Sequence, residues 1–97
     1  MTNTYEPLYI AVRGLATGAN TIQARLHSAY LAIHTLTDFP TPELRDQFTS
    51  IAAALTCVEG SALATVRMLT DEEATQVAQD IFDLFIDVAR LHMREPT

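Results

Sequence analysis

Residues 8–36 read LYIAVRGLATGANTIQARLHSAYLAIHTL, and apolar side chains recur in them at alternating spacings of four and three. This heptad spacing is typical of a helix that buries one seam of side chains. Because the spacing keeps its phase across Gly14 and Gly18, it favours one helix over about residues 6–36. A glycine also ends many helices, so Gly18 leaves open a joint at residues 17–20 that divides the segment into two helices. The seam residues are Leu8, Val12, Leu15, Ala19, Ile22, Leu26, Ala29, Ile33 and Leu36.

Proline and capping residues mark the next two helices. In TDFPTPE, residues 37–43, the prolines favour extended backbone before them, and a threonine–proline pair is typical of a helix start. The apolar residues that follow predict a helix over about residues 42–69, in which Gly60 is tolerated at a cost of about 1 kcal/mol. TDEE, residues 70–73, is a capping box and predicts a third helix over about residues 71–94.

The predicted helices and their short connections define the expected architecture. Helices joined by short loops lie antiparallel, and helices of this length give a body about 35–45 Å long. We therefore expect a single all-α domain over residues 1–97, an elongated antiparallel three-helix bundle. It becomes a four-helix bundle if residues 17–20 break the first helix.

The charge balance excludes several partners. The chain has 12 acidic and 6 basic residues and a net charge of −6, so it lacks the basic patch that nucleic acids and anionic membranes require. Its charge-free runs are shorter than the roughly 20 residues that span a bilayer, and the N-terminus has no leader pattern. The single cysteine, Cys57, excludes an internal disulfide and is expected to be a buried structural thiol. We expect a cytoplasmic protein, and the use of arginine as the only strong base favours a bacterial source.

The faces that point away from the seams carry few charges, although surface helices are normally charged there. Gly14 and Gly18, four residues apart, would let a second helix approach closely. On the third helix, Phe82, Ile86 and Met93 widen the apolar arc beyond what a simple three-helix bundle covers. We expect a homodimer that buries these faces symmetrically. The alternative is that the small residues lie at solvent-exposed positions that tolerate them, and that wider contacts within the chain cover the third helix. The predicted dimer or partner interface comprises Ile10, Gly14, Gly18, Leu31, Phe82, Ile86 and Met93.

No catalytic or metal-binding motif is visible. His27 and His34 are seven residues apart, whereas helical metal pairs prefer three or four, and there is no P-loop and no nucleophile elbow. We therefore expect no cofactor, no metal and no enzyme activity. The aspartates Asp80, Asp83 and Asp87 form an acidic stripe on the third helix. Such a stripe is typical of a solvated face, and it could also complement a basic protein surface.

The predicted function is an interaction module that binds another protein and regulates or sequesters it. In size, acidity and helical character the chain resembles small bacterial anti-activators that hold quorum-sensing regulators off DNA, a resemblance of class that no motif carries. A DNA-binding transcription regulator is thus the expected partner. Two alternatives remain. One is a structural, assembly or chaperone-like helical dimer, and the other is a small-molecule carrier with a core cavity lined by Phe and Tyr residues.

Overall fold

Five α-helices make up the part of the chain that the computed structural model describes, residues 4–94 without the side chains of His92 and Arg94. The all-α prediction is confirmed, whereas three or four helices were expected. The ends of the predicted domain, residues 1–3 and 95–97, lie outside the described residues. The helices are α1 (Tyr5–Thr17), α2 (Ile22–Ile33), α3 (Pro42–Leu55), α4 (Ala62–Met68) and α5 (Asp71–Arg94).

The first predicted helix is divided in two, so the favoured interpretation of one helix over residues 6–36 is wrong. The backbone of Gly18 is extended, with φ −67° and ψ 144°, and it ends α1. The side chain of Thr21 accepts a hydrogen bond from the backbone N–H of Ala24 at 3.2 Å and begins α2. The heptad phase survives because both helices turn their seam residues to the same core, where Leu8 and Leu26 are fully buried.

The second predicted helix is also divided, so the expectation of one helix over residues 42–69 is wrong. Helix α3 ends at Leu55, and the turn that follows contains Glu59 and Gly60, whose φ values of 55° and 68° lie in the left-handed region. Ser61 then begins α4, because its side chain accepts a hydrogen bond from the N–H of Ala64 at 3.2 Å. Residues 56–61 therefore separate the two helices, and the capping serine fixes the start of the second one.

The other helix starts follow the prediction. The hydroxyl of Thr41 accepts a hydrogen bond from the N–H of Leu44 at 3.2 Å at the start of α3. At the start of α5, the N–H of Thr70 donates to the carboxylate of Glu73 at 2.9 Å, and the N–H of Glu73 donates to the hydroxyl of Thr70 at 3.1 Å. This reciprocal pair is a capping box, and it holds α5 against the preceding loop.

The core lies where α5 packs against α1, α2 and α3, with α4 covering α2. The described residues span 42 × 27 × 19 Å. Among them no helix combines the length and the apolar content needed to cross a membrane. The largest apolar side chains that are fully buried are those of Leu8, Leu26, Ile33, Leu55, Ile81 and Leu84.

Candidate functional site

Helix α5 has one buried face and two different exposed flanks. Successive residues of an α-helix lie about 100° apart around its axis. Phe82 follows buried Ile81 and therefore lies on one flank, whereas Asp80 precedes Ile81 and lies on the other. The buried face consists of Ala74, Val77, Ile81, Leu84 and Val88.

The first flank is an apolar strip, which we define as Phe82, Ile86, Ala89 and Met93. These residues are separated by four, three and four positions, so they lie in one line along the helix. Phe82 is 42% exposed and Met93 is 84% exposed, while Ile86 and Ala89 are half-buried. Water therefore contacts a continuous apolar seam of coiled-coil spacing.

An aromatic cluster borders this strip on the side of α1. The ring centroid of Phe85 lies 5.5 Å from that of Tyr5 and 6.2 Å from that of Tyr9. The two tyrosine rings stack on each other, with centroids 6.3 Å apart. These contacts hold α1 against α5, and they leave Tyr9 45% exposed beside the strip.

The second flank forms an acidic groove with α3, which we define as Gln47, Ser50, Ile51, Asp80, Asp83 and Asp87. The groove has a volume of about 310 Å³. The carboxylate of Asp87 accepts a hydrogen bond from the amide of Gln47 at 3.1 Å, across the two helices. Sequence reasoning found the three aspartates but missed Gln47, because contacts across 40 positions have no local signal.

Among the described residues, the carboxylates of this groove have only weak partners. Glutamine amides donate to Asp80 at 3.1 Å and to Asp83 at 3.0 Å, and an amide carries no charge. Arg90 is the cation beside Asp87, at 3.9 Å and on an exposed surface, where such a pair contributes little. The groove therefore presents negative charge above Ile51, whose largely buried side chain lies at its floor, a surface suited to a cationic ligand.

The predicted interface residues of α1 and α2 lie on other faces of the molecule. Ile10 is 54% exposed and lies two positions from buried Leu8, about 200° around α1. Leu31 is 53% exposed and lies two positions from both buried Ala29 and buried Ile33. Phe82, Ile86 and Met93 are thus the predicted interface residues that share one surface.

Gly14, inside α1, and Gly18, at its end, differ in their surroundings. A Cβ atom at Gly14 would meet nothing within 4 Å. A Cβ atom at Gly18 would lie 2.6 Å from Cδ of Arg25 and 2.8 Å from the carbonyl oxygen of Gly14. We expected the backbone of a second helix to lie close to Gly18. In the structure, the side chain of Arg25 occupies that space.

This arginine caps the end of α1, a role that the sequence analysis missed. Nη1 of Arg25 donates to the carbonyl oxygen of Leu15 at 2.7 Å, and Nε donates to that of Asn20 at 3.0 Å. A cation at a helix C-terminus also interacts favourably with the helix dipole. Gly18 is therefore explained by the structure of the chain itself.

His27, His34 and Cys57 form no common site in the described part of the chain. Among the described residues, no group of three or more His, Cys, Asp or Glu side chains has a geometry that could hold a metal ion. His27 lies in a groove between α2 and α4, and the ring of His34 lies 5.9 Å from that of Tyr30. Cys57 is exposed, so the expected buried thiol is wrong. The loop between α3 and α4 carries it to the surface.

The chain matches no protein-family model, no curated protein and no solved structure. The geometry of the apolar strip and the acidic groove therefore carries the functional argument.

Proposed function

We propose that the protein is a non-enzymatic interaction module that binds a basic protein and regulates or sequesters it. The observation that carries this proposal is the acidic groove between α3 and α5. It offers three carboxylates, from Asp80, Asp83 and Asp87, around an apolar floor at Ile51. A helix with lysine or arginine on one side and an apolar residue on the other would match both features.

A DNA-binding regulator is the partner that this chemistry favours. The surface with which such proteins contact phosphates is rich in lysine and arginine. A protein of net charge −6 that covers this surface would compete with DNA, because both ligands would occupy the same cations. The proposal places the protein in the bacterial cytoplasm, where transcription regulators act.

A small-molecule carrier receives no support from the aromatic residues. The rings of Tyr5, Tyr9 and Phe85 pack on one another, and the rings of Phe39 and Phe48 are in contact at 5.1 Å. These rings contact one another. In a carrier, they would instead line a cavity that holds the ligand. An assembly protein remains an alternative, in which the apolar strip would serve self-association alone.

In-cell photo-crosslinking tests the proposal. We would place a benzoylphenylalanine at Ser50, which lines the groove, in cells that express the native gene. The expected result is an adduct with a basic protein, identified by mass spectrometry. The matched control is the same probe at Thr49, exposed on the same helix but turned about 100° from Ser50.

A charge reversal completes the test. Asp80→Arg and Asp87→Arg together should abolish the Ser50 adduct, while circular dichroism should show an unchanged helix content. The proposal is wrong if Ser50 gives no adduct other than with the chain itself, or if the adduct survives the double reversal.

A further inference from the structure

The apolar strip of α5 carries a heptad pattern of its own. Phe82, Ile86, Ala89 and Met93 occupy positions d, a, d and a of a coiled-coil seam, by their spacings of four, three and four. The buried face of α5 is a separate line of residues that α1, α2 and α3 cover. Helix α5 therefore has a second seam, which the rest of the chain leaves exposed.

We propose that this seam is covered by α5 of a second copy of the chain, in an antiparallel two-fold dimer. In that arrangement Phe82 lies opposite the second copy's Met93, and Ile86 lies opposite the second copy's Ala89. Each layer then pairs a larger side chain with a smaller or more flexible one. The contact between the ring of Phe82 and the sulfur of the methionine opposite is also favourable. Because the axis is two-fold, every contact occurs twice.

Charge complementarity identifies the occupant and its direction. The e positions that flank the seam are Asp83 and Arg90, which carry opposite charges. Antiparallel pairing brings e positions together, so Asp83 of each copy meets Arg90 of the other. In a parallel pair, each e position faces position g of the preceding heptad, so Asp83 would face Ala78 and Arg90 would face Phe85, and neither of these two side chains is charged.

Both charged side chains are accessible for this role. Asp83 is exposed and accepts a hydrogen bond from the neutral amide of Gln79. The side chain of Arg90 is 69% exposed, and its contact with Asp87 is long, at 3.9 Å. Neither group loses a strong partner when it pairs across the two-fold axis.

The length of the seam sets the strength of the dimer. Residues 82–93 span about 17 Å of helix, so the interface lies at the small end of specific interfaces. We therefore expect a dissociation constant in the micromolar range. This inference shares α5 with the proposed function: it assigns the apolar strip to self-association and leaves Asp80 and Asp87 of the groove for the other protein.

Sedimentation velocity of the purified chain at several concentrations from 1 to 300 µM, with charge variants, tests the dimer. Wild type should shift from monomer to dimer. Asp83→Arg and Arg90→Asp should each weaken the dimer by about tenfold or more, a change of about 1.4 kcal/mol, because each places like charges in contact. The double variant Asp83→Arg/Arg90→Asp exchanges the two charges and should restore wild-type affinity. Asp80→Arg, the same charge change at an outward b position, should leave the affinity unchanged.

Spin labels test the direction of the helices in a Cys57→Ser background. Asp80→Cys and Asp87→Cys both occupy b positions. Antiparallel pairing places the two labels at position 87 almost level along the axis and those at position 80 about 20 Å apart along it. A parallel pair would give equal distances at the two positions.

Three results would overturn the dimer. They are a monomer at 300 µM, a double charge variant that dimerises no better than the single variants, and equal label distances. None of them bears on the Ser50 adduct, so failure of the dimer and failure of the proposed function are separate outcomes.

Discussion

At the scale of single residues, Gly18 determines how α1 ends. A methyl group there would lie 2.6 Å from Cδ of Arg25 and 2.8 Å from the backbone oxygen of Gly14. We expect Gly18→Ala to displace Arg25 from the carbonyl of Leu15 and to lower the free energy of unfolding by about 1–3 kcal/mol. Urea denaturation followed by circular dichroism measures the change.

Gly14→Ala is the matched control for this prediction. Gly14 is an exposed residue within α1, and an added methyl group would meet nothing within 4 Å. Alanine should therefore raise the free energy of unfolding by about 0.5–1 kcal/mol, through its higher helix propensity. Equal stabilisation by both variants would show that Arg25 does not hold the position seen here.

A second prediction concerns Thr65, which is fully buried. Its hydroxyl donates to the carbonyl of Ser61 at 2.7 Å and accepts from the N–H of Val58 at 3.0 Å. Thr65→Val keeps the shape but leaves the N–H of Val58 without its acceptor, so we expect a loss of about 1–3 kcal/mol in urea denaturation. Thr49→Val is the control, because the hydroxyl of Thr49 is exposed and bonds only within its own helix turn. It should change stability by less than about 0.5 kcal/mol.

At the scale of helices and loops, the joint between α3 and α4 depends on two consecutive residues in the left-handed region. Left-handed geometry costs a residue with a Cβ atom about 1–2 kcal/mol. Glu59 has φ 55°, so Glu59→Gly should remove most of that cost and stabilise the protein by up to about 1 kcal/mol. Gly60 has φ 68°, and Gly60→Ala should destabilise it by about 1 kcal/mol. Thermal unfolding of the two variants should move in opposite directions, and a shift of both in the same direction would contradict the loop geometry.

The same joint shows what the sequence could and could not predict. Capping residues at Thr41 and Thr70 predicted the starts of α3 and α5, because a cap is a local interaction. The joint at Gly18 was the less favoured alternative and the joint at Gly60 was not predicted, because an apolar pattern keeps its phase when two helices face one core. A capping residue follows each glycine, Thr21 three residues after Gly18 and Ser61 directly after Gly60, and this local signal indicates the joints where the phase does not.

At the scale of the whole molecule, a surface on a single helix could be predicted from the sequence, whereas a surface formed between two helices could not. The spacing of Phe82, Ile86 and Met93 predicted an exposed apolar flank on α5, since helical periodicity is local. The acidic groove needs Gln47 on α3 beside Asp87 on α5, a contact that depends on how the helices pack. Ile10 and Leu31 were grouped with the strip because their helix faces also carry few charges, and they lie on α1 and α2, whereas the strip lies on α5.

Self-association has a consequence for the stability of the whole molecule. A dimer of folded chains stabilises the folded state in proportion to the logarithm of protein concentration. At a concentration about tenfold above the dissociation constant, we expect a gain of about 1 kcal/mol, which raises Tm by about 4–8 °C for a chain of this length. Differential scanning calorimetry at 5 and 200 µM should therefore give a higher Tm at the higher concentration for wild type.

The weakened variant Asp83→Arg provides the comparison for this last prediction. Its substitution lies on an exposed position, so its Tm at low concentration should stay close to that of wild type. Because its dimer is weaker by about tenfold or more, its Tm should rise less than that of wild type between 5 and 200 µM. A concentration dependence that is equal in the two proteins would show that the chains associate through another surface, and the outward faces with Ile10 and Leu31 would then be the next to test.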